Sequence, residues 1–156
     1  MKTILIPVIM ILLITSCGTQ DICDDDSQSI LVARLMTMQQ GEKSDTTLQG
    51  FSVYGIREGS VDSLLYDSMN VSRIELPLDP SAGQSKFVMF TADKRDTLTL
   101  LHTSEAYLIS YNCGFAARFT LEEPYSTREM ITEIELVEAL VDAELEIDET
   151  HLQIFF

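Results

Sequence analysis

The pattern of apolar and polar positions sets the first segment apart from the rest of the chain. Ile4 to Ile14 form an apolar run that is interrupted only by Pro7 and preceded by Lys2. As a helix, this run spans about 16 Å, roughly half of a bilayer core. Such a length is typical of a secretory signal peptide and too short for a permanent membrane anchor. We therefore expect residues 1–16 to be a signal-peptide helix that is removed.

Beyond this segment the dominant pattern is alternation. Ile30 to Met38 is almost continuously apolar, as in a strand that is buried on both faces. Arg73 to Leu78 alternates, and its Pro77 favours a sheet edge or a bulge. Residues 93–95 and residues 113–115 each separate two apolar runs, which predicts two hairpins.

Strands that recur without helices between them indicate a sandwich or a barrel. We predict an all-β fold over residues 29–156, with seven to nine strands that end at Leu152 to Phe155. The expected architecture is an antiparallel β-sandwich of immunoglobulin-like or transthyretin-like character. Residues 17–28 would then form an acidic tether between the signal peptide and this domain.

One stretch of the domain has helical spacing instead. Ser126 to Glu129 reads as a capping box, and five apolar residues follow at intervals of three or four: Met130, Ile134, Val137, Val141 and Leu145. Propensity alone favours a helix from Thr127 to Leu145, but Ile134-Glu135-Leu136 alternates as in a strand, so a helix and a strand with a loop are both open for residues 127–145.

Charge and composition exclude two classes of protein. The chain has 10 Lys and Arg against 25 Asp and Glu, for a net charge of −15. Such a chain offers no broad surface for nucleic acid, because phosphate binding needs clustered cations. A hydrophobic fraction of 46% argues against a wholly disordered acidic chain. Since Lys2 lies in the signal segment, the remainder is even more acidic.

The end of the signal segment resembles a bacterial lipobox. Ile14-Thr15-Ser16-Cys17 has an aliphatic residue, two small residues and a cysteine, which implies a lipid on Cys17. Gly18 follows rather than Asp, so the outer membrane is the expected location. Asp24 to Asp26 resemble a surface-export signal or form a solvated tether, which leaves the periplasmic face and the cell surface both open.

If Cys17 carries lipid, only two cysteines remain. Export places Cys23 and Cys113 in a compartment that permits disulfides. They would either form a bridge, worth on the order of 4–5 kcal/mol in the chain-entropy model, or stay as two buried thiols. No spacing of cysteine and histidine suits a metal, and the sequence predicts no cofactor.

Other chemistry-bearing residues are few. No G-x-S-x-G turn surrounds any serine, and we interpret His102 and His151 as ordinary surface residues. Two acidic groups have enough carboxylate oxygens to be considered as calcium sites: Asp24 to Asp26, and Glu144 with Glu146 and Asp148. Four tyrosines are candidates for stacking on a sugar: Tyr66, Tyr107, Tyr111 and Tyr125.

Several segments together resemble a Bacteroidetes family of small lipoproteins of unknown function. They are Asp21-Ile22-Cys23, Asp96 to Leu100, Asn112 to Phe115, Ile131 to Val137 and His151 to Phe155. The resemblance implies that Cys23 pairs with Cys113 and that Ile131 to Glu138 is a strand rather than part of a helix. It carries no activity.

The sequence has few candidate catalytic residues, and its first segment resembles a lipoprotein signal peptide with a lipobox. Together these features indicate a non-enzymatic accessory or binding module, of unknown ligand, anchored at the outer membrane. We expect it to contact the membrane through its lipid, to work with an outer-membrane protein, and to bind no nucleic acid. The alternatives are a small carboxylate-dependent hydrolase and a calcium-binding or glycan-binding module.

Overall fold

The computed structural model describes residues 28–57, 63–111, 113–143 and 149–156. In these residues the chain forms two β-sheets and no helix, and the buried faces of both sheets contribute to one core. The predicted all-β sandwich is therefore confirmed. Its strands are β1 (Ile30–Gln39), β2 (Glu42–Asp45), β3 (Leu48–Ile56), β4 (Ser63–Val71), β5 (Arg73–Pro77), β6 (Gln84–Phe90), β7 (Arg95–Ser110), β8 (Gly114–Leu121), β9 (Tyr125–Ser126), β10 (Glu133–Leu136), β11 (Leu140–Val141) and β12 (Leu152–Phe155).

The five-stranded sheet is built around β1. Its order is β10-β12-β1-β2, and β5 also pairs with β1. The pairs with β2 and β5 are antiparallel, whereas β12 runs parallel to β1 and places Leu152 opposite Ala33. One parallel pair thus departs from the expected antiparallel sheet. Leu31 and Val32 point to opposite faces and are both buried, so β1 is covered on both faces as predicted.

The seven-stranded sheet has the order β11-β8-β7-β6-β3-β4, with β9 on β7. Its longest strand is β7, with 16 residues. The first half of β7 pairs with β6, and the second half pairs with β8 to form a hairpin. Both hairpins predicted from the turn residues are confirmed. The first turn is closed by a hydrogen bond of 3.0 Å from the Thr91 N–H to the Lys94 carbonyl.

The core forms where alternating side chains of the two sheets meet. Buried leucine, isoleucine, phenylalanine and methionine side chains dominate it, among them Leu35, Phe51, Ile74, Met89, Leu98 and Ile154. Pro77 ends β5, which pairs only with β1 among the described strands, so the predicted edge position is confirmed.

The prediction of a helix from Thr127 to Leu145 is wrong. Arg128 has a positive φ of 61°, which an α-helix does not permit. The N–H groups of residues 129–131 donate to the carboxylate of Asp96 on β7 instead of starting a helix. The strands β10 and β11 follow, and the strand implied by the family resemblance is confirmed over Glu133–Leu136.

The described residues hold twelve strands, more than the seven to nine that we predicted. The excess comes from β2, β9 and β11, which have four, two and two residues. Such short segments are too brief to show a period of two. No helix in the described part of the chain is long and apolar enough to cross a membrane. The predicted signal peptide and all of the tether except Gln28 lie outside the described residues.

Candidate functional site

The end of the β7–β8 hairpin exposes apolar side chains to solvent. Leu108 lies opposite Phe115 across the hairpin, and their side chains are 48% and 74% exposed. Tyr111, at the turn, is 99% exposed. We call residues 106–111 and 113–117 the hairpin end. An exposed cluster of large apolar side chains on a domain usually marks an interaction surface.

The exposure of these residues follows from the length of the hairpin. Leu98, Leu100 and His102 alternate along β7 and are buried in the sandwich, and Leu108 lies on the same face further along. The hairpin therefore continues past the core and carries its apolar face with it. The Ser29 hydroxyl donates to the carbonyl of Ala117, so the first described residues lie where this overhang begins.

A polar cluster fixes the opposite face of the hairpin. The Tyr107 hydroxyl and the Arg118 guanidinium both donate to the carboxylate of Asp142, which is buried. The guanidinium also lies 4.7 Å from the centre of the Tyr107 ring. The hydrogen bond to Asp142 raises the pKa of Arg118 above its ordinary value. These contacts hold one face of the hairpin in place and leave the apolar face of its end exposed.

A cleft lies elsewhere, between β3, β4 and the segment from Pro77 to Phe87. It encloses about 600 Å³. Ser85 lines it, and the Ser85 Oγ lies 2.9 Å from the Nε2 of His102. A serine within hydrogen-bond distance of a histidine is the starting arrangement for nucleophilic catalysis, so the environment of this pair decides its role.

That environment favours a structural role for the pair. Ser85 is buried, and its hydroxyl accepts the N–H of Asp79 at 3.0 Å. The Asp79 carboxylate does not orient the histidine, because it binds Ser81 and Arg57. The Nδ1 of His102 has no hydrogen-bond partner among the described residues. The constellation therefore lacks both an accessible nucleophile and a group that orients the base.

Our interpretation of the two histidines as surface residues is wrong. His102 packs edge-on against Phe119, and only 3% of each histidine is exposed. The Nδ1 of His151 accepts the N–H of Val32 at 3.0 Å, which links the residue before β12 to β1. Burial lowers the pKa of both imidazoles, and nearby carboxylates oppose this effect. The neutral form of each ring is favoured in the folded state.

The buried carboxylate of Asp96 has a structural task. It accepts the Thr127 hydroxyl and the N–H groups of residues 129–131. Burial acts to raise its pKa, but the hydrogen bonds outweigh burial and the pKa is lowered. This carboxylate fixes the turn before β10.

Some of the predicted site residues lie within the described ranges, and others lie outside them. Cys17 and Cys23 lie outside the described residues, so lipidation and the Cys23–Cys113 bridge stay predictions. Cys113 belongs to the hairpin end, where its N–H donates to the Ser110 hydroxyl at 3.1 Å. Both acidic groups weighed for calcium also lie outside. Within the described ranges no three His, Cys, Asp or Glu side chains converge as metal ligands.

The tyrosines considered for sugar stacking are not brought together as a platform. The Tyr66 hydroxyl accepts the N–H of Glu75, Tyr107 belongs to the cluster around Asp142, and Tyr125 lies on β9. Of the four, only Tyr111 projects from the hairpin end.

The exposure of Leu108 and Phe115 was not predicted from the sequence, although an uncharged stretch of the chain marks their position. Between Glu105 and Arg118 the chain has no charged residue, in a sequence with a net charge of −15. Alternation alone assigns both residues to a buried face. Their exposure depends on how far the hairpin extends past the opposite sheet.

Fold and site together define an all-β sandwich domain with an overhanging apolar hairpin. Residues 50–156 match the family of unknown function DUF6452, and the chain belongs to that family. The matched region contains the Asp96, Asn112, Ile131 and His151 segments of the resemblance noted above, but not Asp21 to Cys23. No curated protein and no solved structure matches the chain.

Proposed function

We propose that the protein is an outer-membrane-anchored lipoprotein that acts as a non-enzymatic accessory or binding module. The Ile14 to Cys17 tetrapeptide after an apolar segment supports the anchor. The acidic composition supports a domain most of whose surface is repelled by anionic lipid. The proposal places the domain in the cell envelope, on either the periplasmic face or the cell surface.

The observation that carries the binding role is the exposed hairpin end. Apolar side chains contribute to stability in proportion to the area that they bury, so the exposed parts of Leu108 and Phe115 contribute nothing to the stability of the isolated domain. A contact that covers them would supply this missing burial. The hydrogen-bonded cluster on the opposite face already holds the hairpin in place, so little order has to be gained on binding.

The hydrolase alternative has weaker support. Ser85 and His102 form a hydrogen bond, but the serine is buried and holds the backbone of Asp79. A nucleophile has to reach a substrate carbonyl or phosphoryl group, and this hydroxyl already accepts one hydrogen bond. No observation favours the calcium-binding or glycan-binding alternative.

The anchor is tested by replacing Cys17 with Ser. Because the serine hydroxyl cannot take the lipid of the lipobox reaction, we expect an unprocessed and unlipidated precursor. Metabolic labelling with a radioactive fatty acid and the mass of the amino-terminal peptide measure this. The matched control is Cys113→Ser, which should keep the lipid. A lipid-free wild-type protein, or a labelled Cys17→Ser variant, would contradict the anchor.

The binding surface is tested by placing a photo-crosslinking amino acid at Phe115 in cells. We expect adducts with envelope components at this position, because its side chain is 74% exposed within the hairpin end. Position 125 is the control, since Tyr125 is also aromatic and 51% exposed but lies on β9. Equal labelling from both positions would contradict a specific role for the hairpin end.

A further inference from the structure

We propose that the hairpin end inserts into the membrane–water interface beside the lipid anchor. This inference rests on the proposed anchoring and names what covers the hairpin end, namely the lipid surface.

The chemistry of the hairpin end fits an interface between lipid and water. It combines two apolar side chains, Leu108 and Phe115, with a fully exposed Tyr111 at the turn. Tyrosine is favoured at this depth because its ring is apolar and its hydroxyl stays hydrated. No residue from 106 to 117 is charged. An acidic protein is repelled by anionic lipid through most of its surface, so an uncharged projection is the part able to approach.

The position of the hairpin end relative to the tether supports the same contact. The Ser29 hydroxyl binds the Ala117 carbonyl, so the chain enters the domain at the start of the overhang. Leu108 and Phe115 lie two residues further along their strands than Ala106 and Ala117, a distance of about 7 Å. Gly18 to Gln28 can span at most about 37 Å from Cys17. The segment that would carry the lipid therefore enters the domain at the end from which the hairpin projects.

The anchor also removes the main objection to so small a contact. Three exposed side chains would hold a free protein at a membrane only weakly. Once the lipid holds the domain at the surface, insertion becomes an intramolecular step with a high effective concentration. The Cys23–Cys113 bridge predicted above would bring the tether beside the hairpin end. The tether is still a poor cover for the exposed side chains, because Asp21 and Asp24 to Asp26 bring charge to an uncharged apolar surface.

The chain contains no Trp, which permits a direct measurement. Tyr111→Trp places one indole at the hairpin end, and Tyr125→Trp is the matched control on β9. The mature chain from Gly18 carries a hexahistidine segment in place of Cys17 and binds vesicles of phosphatidylethanolamine and phosphatidylglycerol with a nickel-chelating lipid. We expect the emission of Trp at 111 to shift to shorter wavelength on these vesicles. Acyl chains brominated near the headgroup should then quench the emission of Trp at 111, whereas Trp at 125 keeps its emission.

The emission of the same Trp also shows whether something other than lipid covers the hairpin end. A short-wavelength emission already present without vesicles would overturn the proposal, because the tether or a second copy would then cover the hairpin end. Vesicle-bound protein with equal emission from positions 111 and 125 would also overturn it. Adding Leu108→Asp and Phe115→Asp to the Tyr111→Trp chain should abolish the quenching, and persistent quenching would contradict insertion through these residues. Nickel lipid supplies the anchor here, so this result is independent of whether Cys17 is lipidated.

Discussion

At the scale of single residues, the two histidines act as internal hydrogen-bonding groups. His151 accepts a backbone N–H of β1, and His102 shares a hydrogen bond with Ser85. Both rings also have a buried nitrogen without a partner among the described residues. Burial of such an imidazole favours its neutral form, and the nearby carboxylates offset this effect only in part.

Stability should therefore depend on pH near neutrality. The folded-state pKa of each histidine lies below its ordinary value of 6.5. Between that lowered pKa and 6.5 the unfolded state binds more protons, so stability is complete above 6.5 and falls as the pH drops through this window. The loss is about 1.4 kcal/mol for each unit of lowered pKa. Urea unfolding at steps from pH 7.5 to pH 5 measures it.

The control for this prediction is the double variant His102→Gln with His151→Asn. The new amides keep acceptors near Nε2 and Nδ1 but do not titrate. These are the only two histidines of the chain. Acidification also relieves repulsion among the carboxylates, and this effect is common to both proteins. An equal pH dependence in wild type and variant would show that the histidines do not carry it.

At the scale of elements, the stretch from Thr127 to Leu145 shows how a remote residue overrides a local pattern. Its apolar spacing and its capping box both favour a helix. The donors that would begin the helix instead bind Asp96, some thirty residues earlier on β7. Local propensity is a weak prior against a buried carboxylate with several hydrogen bonds.

Asp96→Asn tests this element. The amide keeps one oxygen, but its NH₂ group faces backbone donors, so the turn before β10 loses acceptors in a buried place. We expect the free energy of unfolding to fall by about 3 kcal/mol. Asp93→Asn in the exposed β6–β7 turn is the matched control and should change it by less than about 0.5 kcal/mol. Equal stability of the two variants would contradict the role of Asp96.

The strands that could be predicted are those with a clear period. Ile30 to Met38, Arg73 to Leu78 and Leu152 to Phe155 were identified because alternation or continuous burial shows in the residue types themselves. The short strands β2, β9 and β11 carry no such pattern. The parallel pairing of β1 with β12 depends on which strands meet after folding, and a single sequence holds no signal for it.

At the scale of the whole molecule, one exposed apolar segment is free of charge. The chain is strongly acidic, yet the hairpin end has no charge and exposes Leu108, Tyr111 and Phe115. The uncharged run was visible in the sequence. The exposure of its side chains could not be predicted, because the same residues in a shorter hairpin would face the core. The candidate surface could be recognised only once the length of the hairpin past the opposite sheet was known.

We infer that the hairpin end is the contact surface of an envelope-anchored domain. Hydrogen exchange followed by mass spectrometry tests it most directly, by comparing the protein in its own membranes with the soluble mature chain that begins at Gly18. We predict slower exchange in membranes, confined to peptides that cover residues 106–117, because a covered hairpin opens less often. Unchanged exchange there, or slower exchange in the Gln84–Phe90 strand beside the cleft, would contradict the claim.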